Sequence, residues 1–240
     1  MLKNRPFLLI GLVGLLVFGG AYLLKTVFPS EAPYMAERFS TPIVFFEFIQ
    51  SPLEVNDFFG LTDYDFDSEK FIEKMDFGNK LDFIFALTYS TFLFLFFRKL
   101  AIESEQKWYK AGMVLAILAL IGDVFENIQL LGITANLQTG DFETNIKLLF
   151  IFTWIKWGSL AIGFAIYALW LLKLDGVLKF MGYVGMVPVV FGAMALMRRG
   201  IMTELFAKSI NIMFFVAVCY CFFYKSEMNP KNRAELNQPF

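Results

Sequence analysis

The chain has 240 residues, of which 58% are hydrophobic and only 18% charged, with 31 phenylalanines and a mean hydropathy of +0.59. Soluble domains sit nearer half apolar and a quarter charged, so composition alone indicates a membrane protein. The net charge of −1 gives no reason to expect nucleic-acid binding, and the lack of histidine excludes Ser-His-Asp and Cys-His catalysis, the HExxH metal site and His-ligated haem.

Lys3, Asn4 and Arg5 precede the apolar stretch Pro6–Leu24. The stretch is nearer a membrane span than a signal-peptide core in length, and it lacks a clean small-x-small cleavage site. It reads as a first spanning helix (residues 1–28) with its amino end in the cytoplasm.

Residues 29–79 form an acidic segment. Eleven of the 22 acidic residues lie between Glu31 and Asp76, against only Arg38, Lys70 and Lys74. A segment so poor in Lys and Arg is expected on the extracytoplasmic side. Thr41-Pro42 resembles an N-cap followed by proline at the first helical position, leading into Ile43–Gln50, which is too short to span and too apolar for water. This helix, with Glu47 in its middle, is expected to lie at the outer surface or to dip into the bundle. Ser51-Pro52-Leu53-Glu54 is a capping box for a second short helix that stops at Gly60. Asp63-x-Asp65-x-Asp67 fails the EF-hand template, with Ser68 at the sixth position and Lys74 at the twelfth. It reads as a helix N-terminus, where acids complement the helix dipole.

Core spans two to four occupy residues 80–173. The second runs from about Leu81 to Phe97 and carries Asp82 and Tyr89, seven apart and therefore on one face. The loop to Lys110 holds Arg98, Lys99, Lys107 and Lys110, as a cytoplasmic loop should. The third, Ala111–Ile133, contains Leu118–Gly132, LALIGDVFENIQLLG, with Asp123, Glu126 and Asn127 at i, i+3, i+4 on one helix face. Each ionisable group at such depth costs a few kcal/mol, so these side chains are expected to face protein or water. The fourth span, Ile146–Leu172, places Lys156 between Trp154 and Trp157 in its middle.

Residues 174–225 read as a two-helix hairpin, spans Phe180–Leu196 and Glu204–Tyr224, with 180–224 a candidate surface for a membrane-protein partner. Residues 226–240 are a polar cytoplasmic tail. Six spans with both termini inside satisfy the charge rule except at Arg198-Arg199, which would lie outside. Cys219 and Cys221, two apart on a helix, point roughly 200° apart and cannot bond to each other. Gly11 with Gly14, Gly158 with Gly163, and Gly182 with Gly185 are expected to allow close helix approach.

Depth follows from residue counts. From the outer end of each span Tyr89 lies roughly 9 residues down, Asp123 roughly 10, Glu126 roughly 7 and Lys156 roughly 10, with Asp82 nearer the mouth. Neighbouring antiparallel spans usually touch, so a shared pocket opening outward is expected. Three carboxylates and one ammonium at that depth do not balance. Either an acid is protonated or an external cation or ligand completes the site. The alternative is a structural ion pair in which Lys156 fixes helix register.

Thr41-Pro42-Ile43-Val44 with Phe46-Glu47, then Asp82-x6-Tyr89, Asp123-x-x-Glu126-Asn127 and Lys156-Trp157, resembles the motif set of a family of small four-span bacterial inner-membrane proteins. The resemblance covers roughly residues 1–173. It implies that Glu47, Asp82, Tyr89, Asp123, Glu126, Asn127 and Lys156 belong together and that the chain resides in a bacterial inner membrane. It implies no reaction, and the last two spans depart from it.

The expected fold is therefore an all-α polytopic membrane bundle of about six spans with an acidic extracytoplasmic cap of short helices. No cofactor or metal is indicated. The leading expectation for function is an outward-facing carboxylate–lysine site that binds a small or lipid-like molecule or relays protons, with the bilayer as environment. Glu126 and Asp123 would titrate, Lys156 would supply counter-charge, and Tyr89 and Asn127 would orient the ligand. A structural subunit of a membrane complex and a lipid-modifying enzyme using acid chemistry are the alternatives.

Overall fold

A computed structural model describes residues 4–63 and 65–228 of the chain. Lys3 and most of the polar tail lie outside the described residues, and with them the expectations placed on those segments.

Among the described residues the α-helices are α1 (Leu8–Val27), α2 (Pro42–Glu47), α3 (Pro52–Phe58), α4 (Ser68–Glu103), α5 (Ala111–Ala135), α6 (Glu143–Leu171), α7 (Val177–Val184), α8 (Val187–Met197) and α9 (Ile201–Phe223). With α7 and α8 taken as one crossing, six segments are long and apolar enough to span a membrane. The chain is an all-α, multi-pass membrane bundle.

Neighbouring spans run antiparallel. Gly14 of α1 lies against Phe92 of α4 and Val218 of α9, while Gly20 lies against Phe85. Gly112 and Tyr89 make the α4–α5 contact through Phe97 and Asp123, and Gly132 of α5 meets Asn145 of α6. One end of the bundle thus gathers the end of α1, the start of α4, the end of α5, the starts of α6 and α9, and the short helices α2 and α3.

The second span is longer than its apolar run. Helix α4 has 36 residues, so at about 1.5 Å per residue it overshoots a hydrocarbon core of about 30 Å. It begins at Ser68, so a boundary at residue 80 falls inside a helix. Asp67 is its N-cap, accepting from the Lys70 N–H at 3.1 Å, and Glu69 in the first turn suits the helix dipole. Phe71 in this projecting part packs edge-on against Phe58 and Phe59 of α3. The acidic triplet therefore does start a helix.

Helix α3 keeps half of its capping box. The Ser51 hydroxyl accepts from the Glu54 N–H, whereas the Glu54 carboxylate reaches past Ser51 to the Gln50 N–H at 2.9 Å. That carboxylate also takes both terminal nitrogens of Arg199, which donates in addition to the Phe48 carbonyl oxygen at 2.7 Å. Of the two arginines expected to break the charge rule, Arg198 and Arg199, the second is thereby paired with an acid.

Three expectations need correction. The Thr41 side chain does not cap α2, which ends at Glu47 rather than Gln50: its hydroxyl donates to Glu204 of α9 at 2.9 Å, and Glu204 also accepts the Ser40 and Thr41 N–H groups. This buried carboxylate ties the chain ahead of α2 to the start of α9. The fifth span is broken at Gly185-Met186, because Pro188 at the start of α8 has no N–H to donate and its ring clashes with the carbonyl of the preceding turn. Gly158 meets nothing within 4 Å of a Cβ position and mediates no close approach, unlike Gly182, which faces Leu172, and Gly185, which faces Ala168. Cys219 and Cys221 are both free thiols, and Cys221 is fully buried in the core.

Candidate functional site

Helices α5 and α6 meet backbone to backbone at Gly122. A Cβ there would lie 2.5 Å from the Lys156 backbone nitrogen and 2.9 Å from its Cα. Glycine lets α5 and α6 approach until backbone meets backbone, and this places Asp123 and Glu126 of α5 directly beside the Lys156 side chain.

Lys156 is the hub. Its ammonium donates to Glu126 Oε2 and to Glu47 Oε1 at 3.0 Å, and lies 3.5 Å from Asp123 Oδ1. It also lies 5.3 Å from the centre of the Trp157 ring. The Trp157 indole donates to the other Glu47 oxygen at 3.0 Å. The Thr153 hydroxyl, 2.6 Å from Glu126 Oε1 and 3.2 Å from the Glu47 carbonyl oxygen, donates its single proton to the nearer. Three carboxylates from two segments converge on one cation, and each uses both oxygens.

On the α4 side the network continues through amide and phenol. Tyr89 donates to Asp123 Oδ2 at 2.7 Å. The Asn127 amide donates to Asp123 Oδ1 at 3.1 Å and to Asp82 Oδ2 at 2.9 Å, spending both of its protons. The i, i+4 pair Asp123 and Asn127 faces α4, while Glu126 faces α6. The structure places Glu47, Asp82, Tyr89, Asp123, Glu126, Asn127 and Lys156 in one connected network, and all are buried: Glu126 is 0% and Asp82, the most exposed, 9% accessible.

The short helix α2 brings in Glu47, which residue counting along the spans could not place. Thr41-Pro42 turns the chain inward, and Phe45 and Phe46 pack on Phe58 of α3, so the last residue of α2 reaches the middle of the bundle. Burial holds the Glu47 carboxyl above the usual carboxylate range, against the opposing pull of Lys156. Thr153, Glu204 and Gly122 were not singled out from sequence. Thr153 lies on the same α6 face as Lys156, three residues earlier, and that spacing was the one available signal.

A cavity of about 660 Å³ adjoins the cluster. Glu47, Asp82, Tyr89, Asp123, Lys156 and Trp157 form one wall. The remainder is mainly apolar: Val17 and Phe18 of α1, Phe85 of α4, Leu160 of α6, and Ala207, Ile210 and Phe214 of α9. Lys25, on the exposed last turn of α1, and Asn211 add polar groups at its periphery. Beyond Tyr89 and Lys156, towards the other end of the bundle, the interior is closed by Phe92, Phe96 and Phe164, each 1% exposed or less.

Four buried carboxylates stand in one network with a single ammonium, which only three of them contact, so the arrangement can hold protons or accept a cation, and it can orient a polar head beside an apolar wall. Among the described residues no group of three Asp, Glu, Cys or His is placed to hold a metal ion, since the lysine nitrogen occupies the point where the carboxylates converge. No family model matches the chain, and no curated protein and no solved structure is similar to it.

Proposed function

We propose that this multi-pass membrane protein binds a small amphipathic, lipid-like molecule in the cavity beside the carboxylate–lysine cluster. The observation that carries this reading is the two-sided cavity itself, about 660 Å³ with a polar wall of buried, hydrogen-bonded groups and an apolar remainder contributed by four spans. Binding sites for small molecules have this composition, mostly apolar with a few convergent polar groups. Intramembrane ionisable residues are expensive enough to mark function by default.

The aromatic closure below Tyr89 and Lys156 supports binding over passage of protons across the membrane, since a transmembrane relay needs polar groups on both sides of the cluster. The scarcity of Lys and Arg in residues 29–79, which include α2 and α3 beside the cavity, supports our reading that the cavity faces the extracytoplasmic side.

The test is native mass spectrometry of the protein purified in a mild detergent, comparing wild type with Ala207→Phe, which fills the cavity from α9. The expected result is a bound molecule in the wild type that is lost from the variant at unchanged melting temperature. Identical adduct spectra for the two proteins, or none in either, would overturn the proposal.

A further inference from the structure

The carboxylates around Lys156 are not equivalent. Glu47, Asp123 and Glu126 each lie within 3.5 Å of the ammonium, and a protein donor satisfies each of their oxygens. Asp82 is different. It has no salt bridge, and its one hydrogen bond is from the Asn127 amide to Oδ2. Its other oxygen takes no hydrogen bond from a described residue, although the side chain is nine-tenths buried and lines the cavity. One turn away on the same face of α4, Asn79 is fully buried, and neither its amide nitrogen nor its oxygen has a partner among the described residues.

Buried polar atoms take partners, and a buried carboxylate takes a positive one. Lys156 makes no salt bridge to Asp82: it donates to Glu47 and Glu126 and lies 3.5 Å from Asp123. The only other ammonium on the cavity lining, Lys25, is exposed on the last turn of α1, where solvent screens it. The apolar part of the lining that α1 and α9 contribute, Val17, Phe18, Ile210 and Phe214, is where a tail can lie.

We infer that the ligand of this cavity is an amine-headed amphiphile, its ammonium donating to the free oxygen of Asp82 and its apolar tail lying between α1 and α9. The inference rests on the cavity being a binding site and adds the chemical class of what enters it. A charge-assisted hydrogen bond to this buried carboxylate favours the ammonium over a neutral hydroxyl of equal chain length by at least about tenfold in affinity. A carboxylate head is rejected, because it would meet four acids with one lysine already engaged.

The experiment uses the full chain in neutral phosphatidylcholine nanodiscs, with decylamine, decanol and decanoate at equal mole fraction. Melting temperature and bound probe per protein are measured for wild type, Asp82→Asn and Ala207→Phe. The expected result is wild-type binding of decylamine at least about tenfold tighter than the other two, with Asp82→Asn binding amine and alcohol alike and Ala207→Phe binding neither. If all three probes bind equally and Ala207→Phe abolishes them, the cavity reading stands and the ammonium inference falls. If no probe binds in a manner that Ala207→Phe removes, both fall. A preference for decylamine that persists in Asp82→Asn overturns the role of Asp82. Should Asp82→Asn not fold, N-acetyldecylamine on the wild type decides: it keeps the tail and removes the charge, and equal binding overturns the inference.

Discussion

The two ends of this bundle solve the same packing problem with opposite chemistry. At the α2–α3 end, α4, α5 and α6 meet through Lys156, four acids, an amide and a phenol, and a cavity opens beside them. At the other end the spans meet through rings: Phe7 packs against Phe96, Tyr220 and Tyr224 with centroids 5.2 to 5.5 Å apart, Phe96 against Tyr167 at 4.8 Å, and Trp170 donates to the Tyr220 hydroxyl at 2.7 Å. Aromatic packing is adaptable, and it tolerates an apolar cavity of about 330 Å³ beside Tyr220 and Tyr224. Charge pairing in a low dielectric demands one register. The difference teaches that the buried charges gather at the α2–α3 end, whereas the other end is held by rings whose contacts fix no single register.

That contrast breaks most visibly at Gly122. Gly122→Val forces the α5 and α6 backbones apart and is expected to cost more than about 3 kcal/mol or to abolish folding, as overpacking of a rigid contact does. Gly158→Ala, where a Cβ meets nothing within 4 Å, should leave the melting temperature unchanged or slightly raised. Thermal unfolding in detergent of the two variants side by side checks both. Equal effects would mean that backbone approach does not hold the polar end together.

Lys156→Met comes next. Removing the shared cation leaves Glu47, Asp123 and Glu126 buried against one another, at an expected cost of about 3–5 kcal/mol. Adding Glu126→Gln should recover part of that loss, giving a coupling energy above about 1 kcal/mol in the double-mutant cycle. Additive effects would show that the lysine and Glu126 are not energetically paired.

The aromatic end should respond more gently. Tyr220→Phe leaves the Trp170 indole N–H without its acceptor, at about 1–3 kcal/mol, with no change in what the cavity binds. The smallest effect is expected from Asp82→Asn. It removes an acid that has no cationic partner, so stability should stay within about 1 kcal/mol of wild type or rise. A loss comparable to that of Lys156→Met would place Asp82 inside the ion-pair network rather than at its edge.

Much of this was legible in the chain. Apolar runs of about 20 residues marked the spans, and turn-by-turn depth put Tyr89, Asp123, Glu126 and Lys156 at one level. What escaped was tertiary. Helix periodicity shows that Asp123, Glu126 and Asn127 share a face, but not that Asn127 turns to α4 while Glu126 turns to α6, because that division depends on where the two neighbours stand. Glu204 looked like an ordinary acid at a helix start, and its use as acceptor for three groups around Thr41 depends on a chain segment 163 residues away in sequence. The acidic triplet marked the start of α4, but not that this helix runs unbroken into the second span, because its first turns are polar and hydropathy reports burial in lipid rather than helicity. The glycine that matters was passed over for glycines in recurrent spacing, since proximity of two backbones leaves no pattern in either.

The placement of Lys156 on α6 also orders events during synthesis. Glu47, Asp123 and Glu126 all precede it in the chain, so each of these acids emerges from the ribosome before the ammonium it contacts exists. A bilayer receiving α4 and α5 alone would hold uncompensated carboxylates. The short turn between Ala135 and Glu143 allows α5 and α6 to enter as a preformed hairpin, with Glu126 already paired. A chain stopped before Lys156 would lack the ammonium that Asp123 and Glu126 contact in the folded bundle, so the fourth span completes the charge balance of the third.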